Sequence, residues 1–193
     1  MNEGRTAVTD RVIVVDEEDR ELGTADKLEA HRPPAQLHRA FSVFVCDDAG
    51  RVLLQRRAPG KYHFGGLWSN ACCSHPRPDE AVLDAARRRL AEEIGLDGVV
   101  VRAAGTFRYE ATDEASGLME RELDHVVVAR TNDRPRLDPA EADAYLWLEL
   151  PALQRYLDDG ELRVTPWFRQ ALAVATASGW PTRPEQDPQA VHA

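Results

Sequence analysis

The chain has 193 residues, 43% of them hydrophobic and 30% charged, with a formal net charge of −9. That length and apolar content suit one domain with short extensions, and no stretch approaches the ~18 consecutive apolar residues that read as a bilayer-spanning helix. The acidic balance disfavours nucleic acid, whose phosphates it would repel, but leaves room for a small anion in a local basic pocket. The first residues, MNEGRTAVTDR, lack the apolar stretch of a signal peptide, so a cytoplasmic, monomeric protein with no membrane partner is expected. Three cysteines, Cys46, Cys72 and Cys73, are an odd count with two adjacent; reduced thiols are expected, one of them open to chemistry. Lys27 and Lys61 are the only lysines against 22 arginines, which reflects either a coding bias or two sites that need lysine.

In chain order, residues 1–10 read as a flexible leader. Arg11–Asp16 is β-branched and strand-like, Glu17–Gly23 a turn, and a short helix follows, capped by Thr24 or Asp26 and stopped by Pro33 and Pro34. Arg39–Cys46 and Arg51–Arg57, separated by Asp47-Asp48-Ala49-Gly50, read as a hairpin. Residues 58–78 are rich in Gly and Pro and carry many reactive side chains, as functional loops do. Glu80–Ile94 is the clearest helix, with Val82, Ala86, Leu90 and Ile94 as its apolar stripe, Asp79 as N-cap and Gly95 as C-cap. Strands return at Val99–Tyr109, Glu120–Arg130 and Ala144–Leu148, and helices at Pro151–Leu157 and Pro166–Ser178. Residues 179–193 form a Pro-rich tail expected to be disordered, leaving 11–178 as a single α/β or α+β domain.

Four constellations carry chemistry. Ser74–Leu96 (SHPRPDEAVLDAARRRLAEEIGL) places Glu80, Arg88, Glu92 and Glu93 at helical spacing, and carboxylates one turn apart can hold Mg²⁺ with a phosphate as co-ligand; the alternative is a solvated charged face. In MERELDH, Glu120 and Glu122 would share one face of a strand, where two carboxylates repel unless a cation or proton joins them; the alternative is an exposed acidic strand. WSNACCSHP sets Cys73 beside His75, and DKLEAHRPPAQLHRAFS holds Lys27, His31 and His38, whose histidines only a loop can bring together past the prolines. Isolated, the cysteine and either histidine read more readily as structural than as functional.

The Ser74–Leu96 segment resembles the Nudix box, and WSNACCSHP resembles the active-site cysteine motif of type I isopentenyl-diphosphate isomerases, a Nudix branch; the likeness covers roughly residues 9–175. Two positions depart from the hydrolase box: Ser74 stands for the first Gly, and Arg89 for a Glu with which hydrolases gather metal. The resemblance implies a Nudix-type α/β/α sandwich with a mixed sheet. It implies Cys73 and Glu122 as the proton-exchanging pair, with Tyr109 near Glu122 and Trp167 sheltering a carbocation. His31, His38, His75, Glu120 and Glu122 would hold Mn²⁺, Mg²⁺ or Zn²⁺, which nitrogen and carboxylate donors suit without choosing among them. Glu93 would help hold Mg²⁺ on the diphosphate, which Lys27, Arg57, Lys61 and Arg89 would bind. The expected substrates are isopentenyl and dimethylallyl diphosphate. The alternatives are a Nudix pyrophosphohydrolase, which Arg89 speaks against, and a small metal-stabilised binding module. His63, His125, His192, Cys46 and Cys72 do not match the family's ligand set and are read as structural or neutral.

Overall fold

The computed structural model describes residues 10–181. Strands β1 (Arg11–Val15) and β2 (Glu21–Asp26) form an antiparallel hairpin, turned by Asp16, whose carboxylate accepts from the backbone of Glu18 and Arg20 at 3.0 and 2.9 Å. The expected turn therefore gives up its last residues to a strand. Helix α1 (Lys27–Ala30) is capped by Asp26, one of the two candidates. Strands β3 (His38–Cys46) and β4 (Arg51–Arg57) are joined as a hairpin but pair only at Cys46 and Val52. They then part, and the Gly- and Pro-rich loop returns into the opening: β5 (Trp68–Ser69) pairs with β4 and β6 (Cys72–Ser74) with β3. A loop-only reading of 58–78 missed both short strands, which take their partners from distant sequence.

Helix α2 (Val82–Ile94) begins two residues later than expected. Asp79 is not the cap: it sits at φ +64, and Glu80 is drawn away from the helix start by Arg88, at 2.7 and 2.8 Å, and by the Arg77 amide. Gly95 ends the helix at φ +65, where a Cβ would also meet Arg136 at 2.9 Å. Strands β7 (Val101–Thr112) and β8 (Met119–Arg130) form a long hairpin, and β8 runs parallel to β3 over its whole length. Strand β9 (Ala142–Glu149) lies on β4, followed by α3 (Leu150–Asp158) and α4 (Phe168–Ala177).

The sheet is buried on both faces. One face packs Phe41, Val43, Val45, Val127 and Ala129 under α2. The other packs Phe44, Cys46, Val126 and Val128 under α3 and α4. This is the expected α/β/α sandwich around a mixed sheet. Trp180, placed in the tail by sequence, is instead buried in the second cluster, and its indole N–H donates to the Ala129 carbonyl at 3.2 Å. Asp10, placed in the leader, accepts from the Lys27 amide at 2.8 Å. The remainder of the leader and tail, and His192, lie outside the described residues. Among those described, no helix is long and apolar enough to cross a membrane.

Candidate active site

Strand register assembles the site. His38 is the parallel partner of Glu122, Tyr109 the antiparallel partner of Glu122, and Ser42 the partner of Cys73. Glu122, Tyr109 and Cys73 thereby line one cleft together with Lys27, Lys61, Arg89 and Trp167, with His38 and Ser42 directly behind them.

Four donors, from His31, His38, His75 and Glu122, lie within 4.8 Å of one another. His38 Nε2, His75 Nε2 and Glu122 Oε1 are mutually 2.9–3.4 Å apart. His31 Nδ1 contacts the Lys27 carbonyl at 2.6 Å and His38 Nδ1 the Gln36 carbonyl at 2.8 Å. Donation from Nδ1 to a carbonyl fixes the tautomer and leaves Nε2 as a bare lone pair, the usual preparation of a metal-binding imidazole. His31 Nε2 and Glu120 Oε2, fully buried and 3.0 Å apart, have no hydrogen-bond partner among the described residues. Orphaned buried donor atoms converging with three imidazoles and two carboxylates fit a divalent cation.

The electrostatics agree with that fit. Burial opposes ionisation of Glu120, yet contacts from His31 and His63 hold its carboxyl well below the usual range. Burial and the Glu120 charge oppose ionisation of Glu122, but hydrogen bonds from His38 and His75 pull it down as well. Burial pushes His75 well below its ordinary value and His63 downward. His31 is also disfavoured by burial, but Glu120 outweighs this and raises it.

Cys73 Sγ faces the cleft from β6. It donates to Asn70 Oδ1 at 3.0 Å, receives the Trp167 indole N–H at 3.1 Å, and lies 3.5 and 3.7 Å from the Ser69 and Ser42 hydroxyls. Asn70 is oriented by its amide donating to the Val43 and Cys72 carbonyls. Burial pushes the Cys73 thiol up to about 12, so at neutral pH it keeps its proton and is an acid. Tyr109 donates its hydroxyl to Glu122 Oε2, and its ring lies 5.8 Å from that of Trp167. Arg57 stands over the Trp167 ring at 5.6 Å.

The cations line the cleft beside this pair. Lys27 reaches Asp10 at 2.9 Å, while Lys61 and Arg89 both bind Glu141, the latter at 3.0 Å. Burial works against the charge on Arg89, but Glu93 and Glu141 hold it above its usual range. Glu93 is turned away from the expected role: its oxygens face Arg89, Cys72 and Gln55, and it does not line the cleft.

Thus the ligand histidines, the diphosphate-binding cations, the aromatics, Cys73, Glu120 and Glu122 singled out by sequence line one cleft or lie against it, whereas Glu93 does not, and Glu80, Arg88 and Glu92 pair with one another along α2 instead. Sequence reasoning missed His63, whose Nε2 is 2.5 Å from Glu120 Oε1, and Glu141, which no motif singled out. It also missed Asp124, which accepts from Ser42 at 2.7 Å and is pushed well above the usual carboxyl range by burial and by Glu122. Asp124 continues the alternation of Glu120 and Glu122, a signal that was available; nothing local marked His63 or Glu141.

Comparison with known proteins places this geometry. The NUDIX domain family matches residues 36–168. An isopentenyl-diphosphate Delta-isomerase of Halorhodospira halophila is 44% identical over 174 residues, covering 90% of this chain and 99% of that protein. A second, the isopentenyl-diphosphate Delta-isomerase 2 of Aromatoleum aromaticum, is 54% identical over 144 residues, 75% of each chain. Among solved structures, a Deinococcus radiodurans protein superposes with a TM-score of 0.68 at 19% identity, covering 86% of this chain and 98% of its own. A MutT protein of Methanosarcina mazei gives 0.60 at 20% identity, covering 75% of this chain and 96% of its own; these two likenesses concern the fold alone.

Proposed function

Because the chain belongs to the NUDIX family and, within it, to the isopentenyl-diphosphate Delta-isomerases, we propose that it interconverts isopentenyl and dimethylallyl diphosphate as a monomer. The observation that carries this reading is the joint presence, in one cleft, of a protonated Cys73 and the Tyr109–Glu122 pair, with Trp167 in contact with both Cys73 and Tyr109.

The reaction gives a proton to the terminal alkene carbon of isopentenyl diphosphate and removes one from the carbon nearer the diphosphate, through a tertiary carbocation. An unactivated alkene is a very weak base, so the acid must be well placed and water kept out. Cys73 and Glu122 exchange these protons from opposite sides of the carbon skeleton. The Trp167 N–H and the Ser69 hydroxyl stabilise sulfur when it carries charge. The Trp167 ring faces the cation and excludes water that would trap it as an alcohol. Tyr109 holds Glu122 and moves its proton. Lys27, Arg57, Lys61 and Arg89 bind the diphosphate, Arg as a planar fork and Lys as a compact charge. His31, His38, His75, Glu120 and Glu122 would hold Mn²⁺, Mg²⁺ or Zn²⁺, which when bound fixes the Glu122 carboxyl and sets its acidity. No step is routed through Glu93, given its position behind Arg89.

Proton NMR of isopentenyl diphosphate in D₂O with the protein and Mg²⁺ tests this. The expected result is loss of the terminal alkene signals and growth of the dimethylallyl vinyl and methyl signals, with deuterium entering the methyl group. Release of phosphate or pyrophosphate without that rearrangement overturns the reading in favour of a hydrolase.

A further inference from the structure

We infer that His63 is a positioning residue of the metal site: it holds Glu120 in its ligating orientation by donating Nε2–H to the carboxylate oxygen that does not face the other ligands. This rests on the reading of His31, His38, His75, Glu120 and Glu122 as a cation site.

The two oxygens of Glu120 are in different situations. Oε2 points at His31 Nε2, 3.0 Å away, and makes no hydrogen bond among the described residues, whereas Oε1 lies 2.5 Å from His63 Nε2. A carboxylate can only accept, so the proton between them belongs to His63 Nε2. His63 Nδ1 is correspondingly the bare nitrogen, buried and without a hydrogen-bond partner among the described residues. His63 is thus arranged oppositely to His31 and His38, whose Nδ1 atoms face carbonyls and whose Nε2 atoms face the cluster. It is built as a donor to a ligand, while they are built as ligands.

The loop carrying His63 keeps it there. Arg57 donates to the His63 carbonyl at 3.2 Å, and the imidazole lies 4.2 Å from the Tyr62 ring and 5.5 Å from Phe64, centroid to centroid. Arg57 is itself a cleft residue stacked over the Trp167 ring, so the segment that presents Arg57 and Lys61 to the diphosphate also fixes Glu120. Outer partners of ligating groups are commonly worth ~10- to 100-fold in metal affinity, because a ligand free to rotate must be ordered when the ion binds.

The test is Mn²⁺ affinity by competition with a fluorescent chelator, for the parent, His63→Ala, His63→Gln and His31→Ala, with thermal melting of each metal-free protein alongside. His63→Ala should bind one Mn²⁺ ~10- to 100-fold more weakly. His63→Gln, whose amide N–H can replace Nε2–H, should recover most of that affinity, and His31→Ala should lose the site. Parental affinity in His63→Ala with loss in His31→Ala overturns the role of His63 while leaving the metal site standing. Parental affinity in both overturns the metal site itself. Loss in His63→Ala that Gln does not restore makes His63 a direct ligand and overturns the inference too. If His63→Ala does not fold, His63→Phe, which fills the space beside Tyr62 and Phe64 without a donor, takes its place under the same outcomes.

Discussion

Strand β8 has two halves that follow one rule and serve opposite ends. Glu120, Glu122, Asp124, Val126 and Val128 alternate along the same face, and all five are buried. The partner strand runs from polar to apolar as well, though not residue for residue: His38 lies beside Glu122, Ala40 beside Asp124, Ser42 beside Val126 and Phe44 beside Val128. Where α3 and α4 cover the face it is apolar, and each fully buried side chain stabilises by ~1.5–3 kcal/mol. Beyond that cover the same ladder carries three carboxyl groups, each of which costs several kcal/mol to bury ionised unless partners or an ion offset it. One half of the strand thus makes the fold stable enough to hold the other half in an arrangement that burial alone disfavours.

The largest effect expected from breaking this contrast is at Cys73, on the polar side. Cys73→Ala should lower turnover by ~10²–10⁴-fold or to nothing, the usual contribution of a placed proton donor, while Cys72→Ala, whose thiol faces Glu93 and not the cleft, keeps most of it. Equal loss in an NMR turnover assay would show that the two thiols were assigned the wrong roles. On the apolar side, Phe44→Ala should cost ~3–5 kcal/mol in urea unfolding and leave metal stoichiometry unchanged. Glu122→Gln should do the reverse: it removes the proton-exchanging carboxylate, so turnover collapses, while relief of repulsion with Glu120 offsets part of the lost His38 and His75 contacts and metal-free stability falls far less than in Phe44→Ala. A large stability loss in Glu122→Gln would erase the distinction between the halves.

Smaller effects should come from the cations. Arg89→Ala removes charge-assisted hydrogen bonds worth ~1.5–3 kcal/mol, so KM for the diphosphate should rise about ten- to a hundredfold. Arg89→Glu should be worse, since it sets negative charge against the substrate. Glu141→Ala leaves Lys61 charged but untethered, while Arg89 keeps Glu92 and Glu93; ordering one such side chain costs ~0.5–1.5 kcal/mol, which predicts a KM rise of about two- to tenfold with kcat nearly kept. An unchanged KM would mean that Glu141 tethers nothing the substrate uses.

The mildest effect is the pH dependence of metal-free stability near neutrality. Burial holds His63, His75 and His125 below their ordinary 6.5, so below 6.5 the unfolded chain binds protons that the fold does not, and stability falls on acidification. His31 acts the other way: its raised value gives stability that is complete below 6.5 and fades as pH rises through the folded value. Three against one predicts a net loss on going from about pH 7 to about pH 5.5 in urea melts. Below the ordinary 4.5 of their carboxyls, Glu120 and Glu122 add a further loss, because their folded values are depressed. His75→Gln should flatten the upper part of this profile; a profile rising toward acid would show His31 dominating.

The sequence by itself determined most of the longer elements and marked the groups from which the candidate site is built. Alternation in β8, the apolar stripe of α2, Gly95 at its end and the Cys73–His75 pairing are local patterns, since periodicity and capping depend on near neighbours. The resemblance supplied the ligand set that no spacing could, because Pro33 and Pro34 break the path between His31 and His38. Only the tertiary structure decided how far β3 and β4 stay together, that Trp180 belongs to the core, and that α2 starts at Val82 once Arg88 claims Glu80. It alone brought His63 to Glu120, and Glu141 to Lys61 and Arg89, across separations of 57, 80 and 52 residues. Such contacts leave no local signature, because which charges meet depends on how distant strands close and on which groups burial forces to find a partner.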